Sequence, residues 1–279
     1  METEPNLLKF SICRGASVAV SSRPWPNRLR SGPLQKGMFL MTPHGDLTGE
    51  GLGFGSPIAF YDDRPVFSIH AHLKAGESGV TKTFALDAES TKKWSNNRLS
   101  GLPGPETIFD NRFTRNFAGL YRSRRMAQFV ANGFWRFEQS TGMIYHGFKE
   151  AKPWGKVVIE YTIKPGMIII TVDPSKLCPG CKKLCIMNEL DAEVFTVYDD
   201  SDGAHLNKGK IGAWSPIDAM WAKFSTPDDS ISFRLSKVEP ARMYRGREFV
   251  PGHLSWVGLT YEQTAPLKPF SYTVEIEAN

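Results

Sequence analysis

The segment from Lys156 to Val172 constrains the fold more than any other part of the sequence. It reads Lys-Val-Val-Ile-Glu-Tyr-Thr-Ile, then Lys-Pro-Gly, then Met-Ile-Ile-Ile-Thr-Val. β-branched and aromatic residues fill both arms and favour strands, while the Pro-Gly pair between them favours a turn. The sequence therefore predicts a β-hairpin with strands at residues 156–163 and 167–172.

Shorter apolar stretches, separated by turn residues, predict strands elsewhere in the chain. Residues 58–61 and 65–72 are expected to form two strands joined by a turn. A second pair is predicted at residues 134–137 and 143–146. Residues 270–277 alternate apolar and polar side chains, which is typical of a half-buried final strand.

Signals for helices are few. The 279 residues include 25 glycines and 19 prolines, an excess that favours many turns and few long helices. Ser215, Pro216 and Asp218 match a helix start, so a short helix is expected over residues 216–224. We predict an all-β fold, a large antiparallel β-sandwich with one or two short helices. It forms a single domain over residues 1–279, with residues 1–36 as an N-terminal arm.

Composition and motifs argue against several classes of protein. A net charge of +5 is too small to imply nucleic-acid binding by itself, and no recognition helix or paired zinc finger is evident. The start Met-Glu-Thr-Glu-Pro lacks the features of a secretory signal. The longest bulky apolar run, residues 167–172, is far shorter than the roughly 20 residues of a membrane helix. We expect a cytoplasmic protein that does not bind membranes. Nucleic-acid binding through the basic regions is the less favoured alternative, and it predicts an affinity that falls steeply with salt.

Three of the four cysteines lie within eight residues, at Cys178, Cys181 and Cys185. A Cys-x2-Cys turn aims two thiolates at one ion, so this cluster predicts a zinc site. A local disulfide, a redox pair and reduced thiols remain open as alternatives. A fourth zinc ligand would have to come through the fold, from among Cys13, His205 and Glu189.

The densest group of polar side chains surrounds two histidines. His70 and His72 would point to the same face of a strand, because side chains alternate with a period of two. Histidines titrate near neutral pH and can move protons during catalysis. We predict His70 and His72 as catalytic residues, with Glu50 or Asp46 as their partner. The alternative is a solvated strand face on which the histidines play no catalytic part.

Glycine occupies every second position from Gly49 to Gly55. On a strand, this pattern removes side chains from one face and permits close approach. Two interpretations are open: packing against a neighbouring sheet, or a sugar ring lying over the bare face.

Arginines and aromatic residues alternate between residues 110 and 136. Arginine binds carboxylate or phosphate through paired hydrogen bonds, and aromatic faces stack on sugars or bases. Arg112, Arg122 and Trp135 are therefore predicted to bind an acidic saccharide. Ordinary surface ion pairs over a few core aromatics are the alternative.

The hairpin around residues 161–168 resembles the strand, Pro-Gly turn and strand element of the galactose-mutarotase-like β-supersandwich group. The chain from Leu259 through Pro266 and Pro269 to the strand at 270–277 is similar to that group's closing strand. The resemblance covers about the last 120 residues. It implies a fold that serves sugar epimerases, polysaccharide lyases and glycoside hydrolases. The sequence around each histidine differs from that of the group's catalytic residues.

Two hypotheses about function follow. The first is a carbohydrate-directed protein that performs acid/base chemistry on a saccharide, as an epimerase, lyase or glycosidase. The second is a non-catalytic binding or assembly module that uses the Arg/aromatic surface. The sequence leaves open the substrate, the oligomeric state and the presence of catalytic activity.

Overall fold

A computed structural model describes residues 7–24, 34–62, 64–94, 144–212, 214–250 and 254–278. Arg112, Arg122, Trp135 and the predicted strand at 134–137 lie outside these residues. Contacts divide the chain into two compact units. The first contains Met1–Asn27, Pro33–Glu89 and Glu150–Asn279, and the second contains Arg28–Gly32 and Ser90–Lys149.

Regular structure in the described residues consists of strands. In chain order they are β1 (Leu7–Cys13), β2 (Ala16–Ser21), β3 (Phe39–Thr42), β4 (Gly45–Asp46), β5 (Gly53–Tyr61), β6 (Arg64–Phe67), β7 (Ala71–Ala75), β8 (Gly79–Ala85), β9 (Ala88–Trp94), β10 (Ile144–Glu150), β11 (Lys156–Lys164), β12 (Met167–Asp173), β13 (Cys181–Asp191), β14 (Val197–Asp200), β15 (His205–Asn207), β16 (Ser215–Ile217), β17 (Trp221–Ser225), β18 (Ile231–Ser236), β19 (Arg242–Val250), β20 (Leu254–Thr264) and β21 (Phe270–Ala278).

The first unit contains two large sheets and one small one. A nine-stranded sheet has the order β15-β14-β17-β18-β21-β12-β11-β8-β7. The other large sheet has eight strands. Seven of them lie in the order β9-β6-β5-β13-β20-β19-β16, and the eighth, β10, is the neighbour of β9 within the second unit. Strands β1 to β4 form the small sheet in sequence order. The prediction of an all-β fold with large antiparallel sheets is confirmed.

The predicted helix at residues 216–224 is wrong. Pro216 lies in edge strand β16, where its missing amide hydrogen leaves no gap in the ladder, and β17 follows. In β17, Ala222 and Phe224 are buried while Trp221 and Lys223 are partly exposed, which is a period of two. The burial of alternate side chains therefore outweighs the helix-start signal. No described residue forms a helix, and so none supplies a helix long and apolar enough to cross a bilayer.

The hairpin at β11 and β12 is confirmed. The register pairs Lys164 with Met167 across the turn, and Gly166 there has a φ of +72°, which only glycine adopts readily. The final strand β21 is also confirmed, and its side chains alternate between buried and exposed.

The glycine-rich strand segment packs closely against its neighbours. A Cβ atom on Gly51 would lie 2.5 Å from the carbonyl oxygen of Glu189, and one on Gly53 would lie 2.6 Å from that of Met38. On Gly55 it would lie 2.9 Å from the Tyr161 hydroxyl. These contacts support the packing interpretation of the alternating glycines, because protein atoms occupy the space beside them.

The strand predicted at residues 65–72 is divided in the structure. Its first part is β6 in the eight-stranded sheet, and its last part enters β7 in the nine-stranded sheet. The chain thus crosses between sheets at residues 68–70. It crosses back at residues 86–87, between β8 and β9. Backbone hydrogen bonds join the two crossings, from Asp87 N to Phe67 O (3.0 Å) and from Ala85 N to His70 O (2.9 Å).

Candidate functional site

A histidine and a carboxylate meet where the two crossings lie side by side. The Nδ1 atom of His70 lies 2.6 Å from Oδ2 of Asp87. The Asp87 side chain is only 6% exposed, whereas that of His70 is 61% exposed. The other carboxylate oxygen of Asp87 accepts hydrogen bonds from the backbone amides of Ile69 (2.8 Å) and His70 (3.4 Å). These backbone hydrogen bonds fix the Asp87 carboxylate, and the carboxylate in turn orients the accessible imidazole of His70.

His70 opens onto a cleft of about 310 Å³. His72 also lines this cleft, so the structure brings the two predicted histidines to one site. Strands β7, β8 and β11 form one wall, in which His72 pairs with Thr83 and Lys156 pairs with Ala85. The residues that line the cleft are Ser22, Pro24, Gln35, Ile69, His70, Ala71, His72, Thr83, Ala85 and Lys156.

Gln35 is a fixed polar group in the wall of the cleft. Its side-chain nitrogen donates to the carbonyl oxygens of Ser22 (2.8 Å) and Ile69 (3.0 Å), which determines the orientation of the amide. Its Oε1 atom is buried and has no hydrogen-bond partner among the described residues. A buried acceptor of this kind favours a ligand or water that donates a hydrogen bond.

The predicted carboxylate partners of the histidines lie elsewhere. Asp46 belongs to β4 of the small sheet, where its Oδ1 accepts the backbone amide of Thr48 (2.8 Å). Glu50 lies in the turn before β5. Neither residue lines the cleft, and Asp87 occupies the position beside His70 that was predicted for them.

The three clustered cysteines spread along the start of β13. Cys178 is exposed in the preceding turn, Cys181 is partly buried, and Cys185 is buried with its thiol 3.9 Å from Oε2 of Glu262. All four cysteines, including Cys13, are free thiols. Within the described ranges, no group of three or more His, Cys, Asp or Glu side chains could hold a metal ion. Zinc at these cysteines remains a prediction.

Glu262 is the centre of a second polar cluster, on the outward face of the eight-stranded sheet. Its carboxylate accepts hydrogen bonds from the Tyr244 hydroxyl (3.0 Å) and pairs with the Lys183 ammonium (3.0 Å). Hydrogen bonding to the Glu262 carboxylate raises the pKa of Lys183, although burial alone would lower it. Among the described residues, the Glu262 carboxylate contacts Tyr244, Lys183 and Cys185, so the cluster resembles a satisfied ion-pair network.

We expect the cysteines to differ sharply in their reaction with a thiol reagent. Burial raises the pKa of Cys185 to about 12, so very little of it is thiolate at pH 8. Cys178 is exposed. A timed titration with a chromogenic disulfide should label Cys178 at least about 100-fold faster than Cys185. A Cys178→Ser variant identifies the fast phase, and rapid labelling of Cys185 in the native protein would contradict the packing described here.

Sequence reasoning missed Asp87 and Gln35. Asp87 directly follows the apolar stretch Phe84–Leu86 and precedes Ala88, and an acid next to apolar residues is a weak signal of a buried carboxylate. Gln35 lies in a proline-rich segment that carries no periodicity, so no local pattern marks it.

Comparison with known proteins gives a likeness of fold only. No family model matches the chain, and no curated protein matches it. It is similar to a candidate aldose 1-epimerase from Escherichia coli K12, with 7% identity over 98% of this chain and 100% of the other, at a TM-score of 0.39. It is also similar to a galactose mutarotase-like protein from Lactobacillus casei ATCC 334, with 9% identity, the same coverage and a TM-score of 0.40.

Proposed function

We propose that the chain is a carbohydrate-directed enzyme in which His70 transfers a proton to or from a saccharide bound in the cleft. The observation that carries this proposal is the 2.6 Å contact between His70 Nδ1 and the buried Asp87 carboxylate. A carboxylate held in this way orients an imidazole and stabilises its protonated form.

The contact assigns different roles to the two ring nitrogens of His70. An ionised Asp87 can only accept hydrogen bonds, so Nδ1 carries the hydrogen that it donates. In the neutral imidazole, Nε2 is then the acceptor and can take a proton from a ligand. Once protonated, the same atom can return the proton. His70 can therefore serve as general base and general acid in one cycle.

The lining of the cleft supports a small polyhydroxylated ligand. Gln35 offers a buried acceptor, and Ser22 and Thr83 add side-chain hydroxyls. Lys156 offers a cation that can bind an acidic group. This is the role predicted from the sequence for Arg112 and Arg122. A volume of about 310 Å³ is at the small end of the range for ligand sites, which suits one sugar ring. The resemblance of the sequence to sugar epimerases supports the same ligand class.

We expect His70→Gln to lower the rate of saccharide turnover by about 10²-fold to 10⁴-fold, because it removes the acid/base group. Three assays on the full chain cover the candidate reactions: polarimetry for interconversion of monosaccharide anomers, ultraviolet absorbance for elimination from uronate polymers, and reducing-sugar release for hydrolysis. Asp87→Asn should lower the rate less and should shift the pH–rate profile.

His205→Gln is the matched control. His205 contacts Asp199 through Nδ1 at 2.7 Å, the same pairing, but it lies on edge strand β15 outside the cleft. Asp199 is also much more exposed than Asp87. Equal rates for wild type and His70→Gln would contradict the proposal. If saccharide binds but is not converted, and His70→Gln binds it equally well, the chain is a binding module.

A further inference from the structure

We propose that Arg245 and Arg247 form a binding site for an oxyanion, the phosphate or carboxylate group of a small molecule. The site lies far from the His70 cleft. Tyr198, which contacts Arg245, is in β14, one strand from one edge of the nine-stranded sheet, whereas β7 forms the other edge. The site is therefore separate from the proposed catalytic site and independent of it.

Both arginines point into the space between the two large sheets. They are two residues apart on β19, so their side chains share one face of the strand with Met243, which is buried in the core. The guanidinium carbon of Arg245 lies 4.6 Å from the centre of the Tyr198 ring on the opposing sheet. A guanidinium over an aromatic face is held in place and keeps its edges available for hydrogen bonds.

Arg245 has hydrogen-bond donors that lack acceptors in the described part of the chain. Its Nε and Nη1 atoms are buried without hydrogen-bond acceptors there, and it forms no ion pair with a described residue. The Asp200 carboxylate accepts the Tyr198 hydroxyl through Oδ2 (2.7 Å) and the amide of Ala204 through Oδ1 (3.1 Å), so its described hydrogen bonds come from these groups and not from Arg245. Buried donors without acceptors are costly, so an anion that accepts hydrogen bonds from Nε and Nη1 of Arg245 would bind favourably at this position.

Arg247 adds a second positive charge beside the first. Its Nη1 donates to the carbonyl oxygen of Lys208 (3.4 Å), and burial lowers its pKa despite the opposing effect of Glu193. Glu193 itself pairs with the Lys208 ammonium at 2.6 Å. Alternate residues of a strand are about 7 Å apart, so one oxyanion placed between the two guanidinium groups can contact both.

The residue type selects the class of ligand. The planar guanidinium presents parallel N–H groups that match two oxygens of a carboxylate or phosphate. A neutral sugar offers no such group. The site is therefore expected to bind anionic molecules and to ignore neutral ones of similar size.

Thermal unfolding of the full chain tests this proposal. Inorganic phosphate at 10 mM should raise the Tm by about 3 °C relative to sodium chloride of equal ionic strength, if the Kd is near 1 mM. Arg245→Gln should abolish the rise. Arg245→Lys keeps the charge but loses the paired N–H groups, so it should reduce the phosphate-induced rise in Tm by at least half. This variant tests the proposal if Arg245→Gln does not fold.

Arg242→Gln is the control, because Arg242 is exposed on the other face of the same strand. It should keep the full phosphate effect. Parallel measurements with D-glucuronate and D-glucose distinguish the sources: a shift with phosphate alone indicates a phosphate ligand, and a shift with glucuronate but not glucose indicates a carboxylate. No shift with either anion, or an equal shift in wild type and the Arg245 variants, would overturn the proposal.

Discussion

Replacing Lys82 with methionine is expected to flatten the pH dependence of stability. The free energy of unfolding should rise between pH 7 and pH 10 in the wild type, and the substitution should make that rise smaller by about 3 kcal/mol. Lys82 is 1% exposed, on the inward face of β8. Its ammonium donates to the carbonyl oxygens of Ser21 (2.7 Å) and Lys36 (2.6 Å) and lies 4.8 Å from the centre of the Phe84 ring. Burial lowers the pKa of Lys82 from 10.5 to about 7.

The sign of this effect follows from proton binding. Above pH 7 the folded chain releases the proton of Lys82, while the unfolded chain keeps it until the pH approaches 10.5. The unfolded state therefore binds more protons in this range, and stability rises with pH. Below pH 7 both states are protonated, so Lys82 contributes no further slope. Methionine keeps the length of the side chain but removes the proton.

Urea unfolding at several pH values from 6 to 10 measures this difference. Lys164→Met is the control, because Lys164 is exposed at the end of β11 and should leave the slope unchanged. The two carbonyl groups that lose their donor will lower stability at every pH, and this constant loss does not affect the slope. If the unfolding free energies of wild type and Lys82→Met change in parallel with pH, the buried ammonium of Lys82 is not the cause of the pH dependence.

Phe233→Ala should lower the unfolding free energy by about 4 kcal/mol and the Tm by about 10 °C. Phe233 is fully buried, and its ring centre lies 5.4 Å from that of Phe54, 5.3 Å from Phe195 and 5.7 Å from Phe224. It thus joins strands of both large sheets, since β5 and β18 belong to different ones. Truncation leaves a cavity that these rings cannot fill.

Calorimetry and urea unfolding check this prediction. Leu7→Ala is the control, because Leu7 is 57% exposed and should change stability by less than about 0.5 kcal/mol. A loss below about 1.5 kcal/mol for Phe233→Ala would mean that the aromatic cluster relaxes around the missing ring.

The sequence predicts those parts of the fold that depend on local pattern. The β11–β12 hairpin and β21 follow from residue type and alternation, since each buries one face of a strand. The helix at 216–224 fails because the start signal, Ser-Pro, is equally compatible with an edge strand. The prediction of one continuous strand over residues 65–72 fails for another reason. No glycine or proline marks the crossing at residues 68–70, and only contacts with residues 85–87 show that the chain changes sheet there.

In the candidate site, too, the residues that follow from local sequence pattern are predictable and those that depend on contacts between distant segments are not. His70 and His72 were identified by residue type and spacing, and they do share the cleft. Glu50 and Asp46, the carboxylates predicted as their partners, lie elsewhere in the fold, because nearness in sequence does not determine nearness in space. Asp87 follows His70 by 17 residues and reaches it only through the paired crossings. The arginine pair at residues 245 and 247 was not singled out, because an alternating Arg-Gly-Arg segment resembles many solvated strands.

The position of the last two strands determines when this protein can fold during synthesis. β21 lies between β18 and β12, and β20 lies between β13 and β19, so both fill interior places in their sheets. A ribosome adds about 5–20 residues each second, and until these strands emerge each growing sheet is divided into two parts. The nascent chain therefore exposes four unpaired strand edges, those of β12, β13, β18 and β19. Assembly of the two large sheets must wait for residues 254–278, and chaperones that bind extended apolar segments would protect these edges meanwhile.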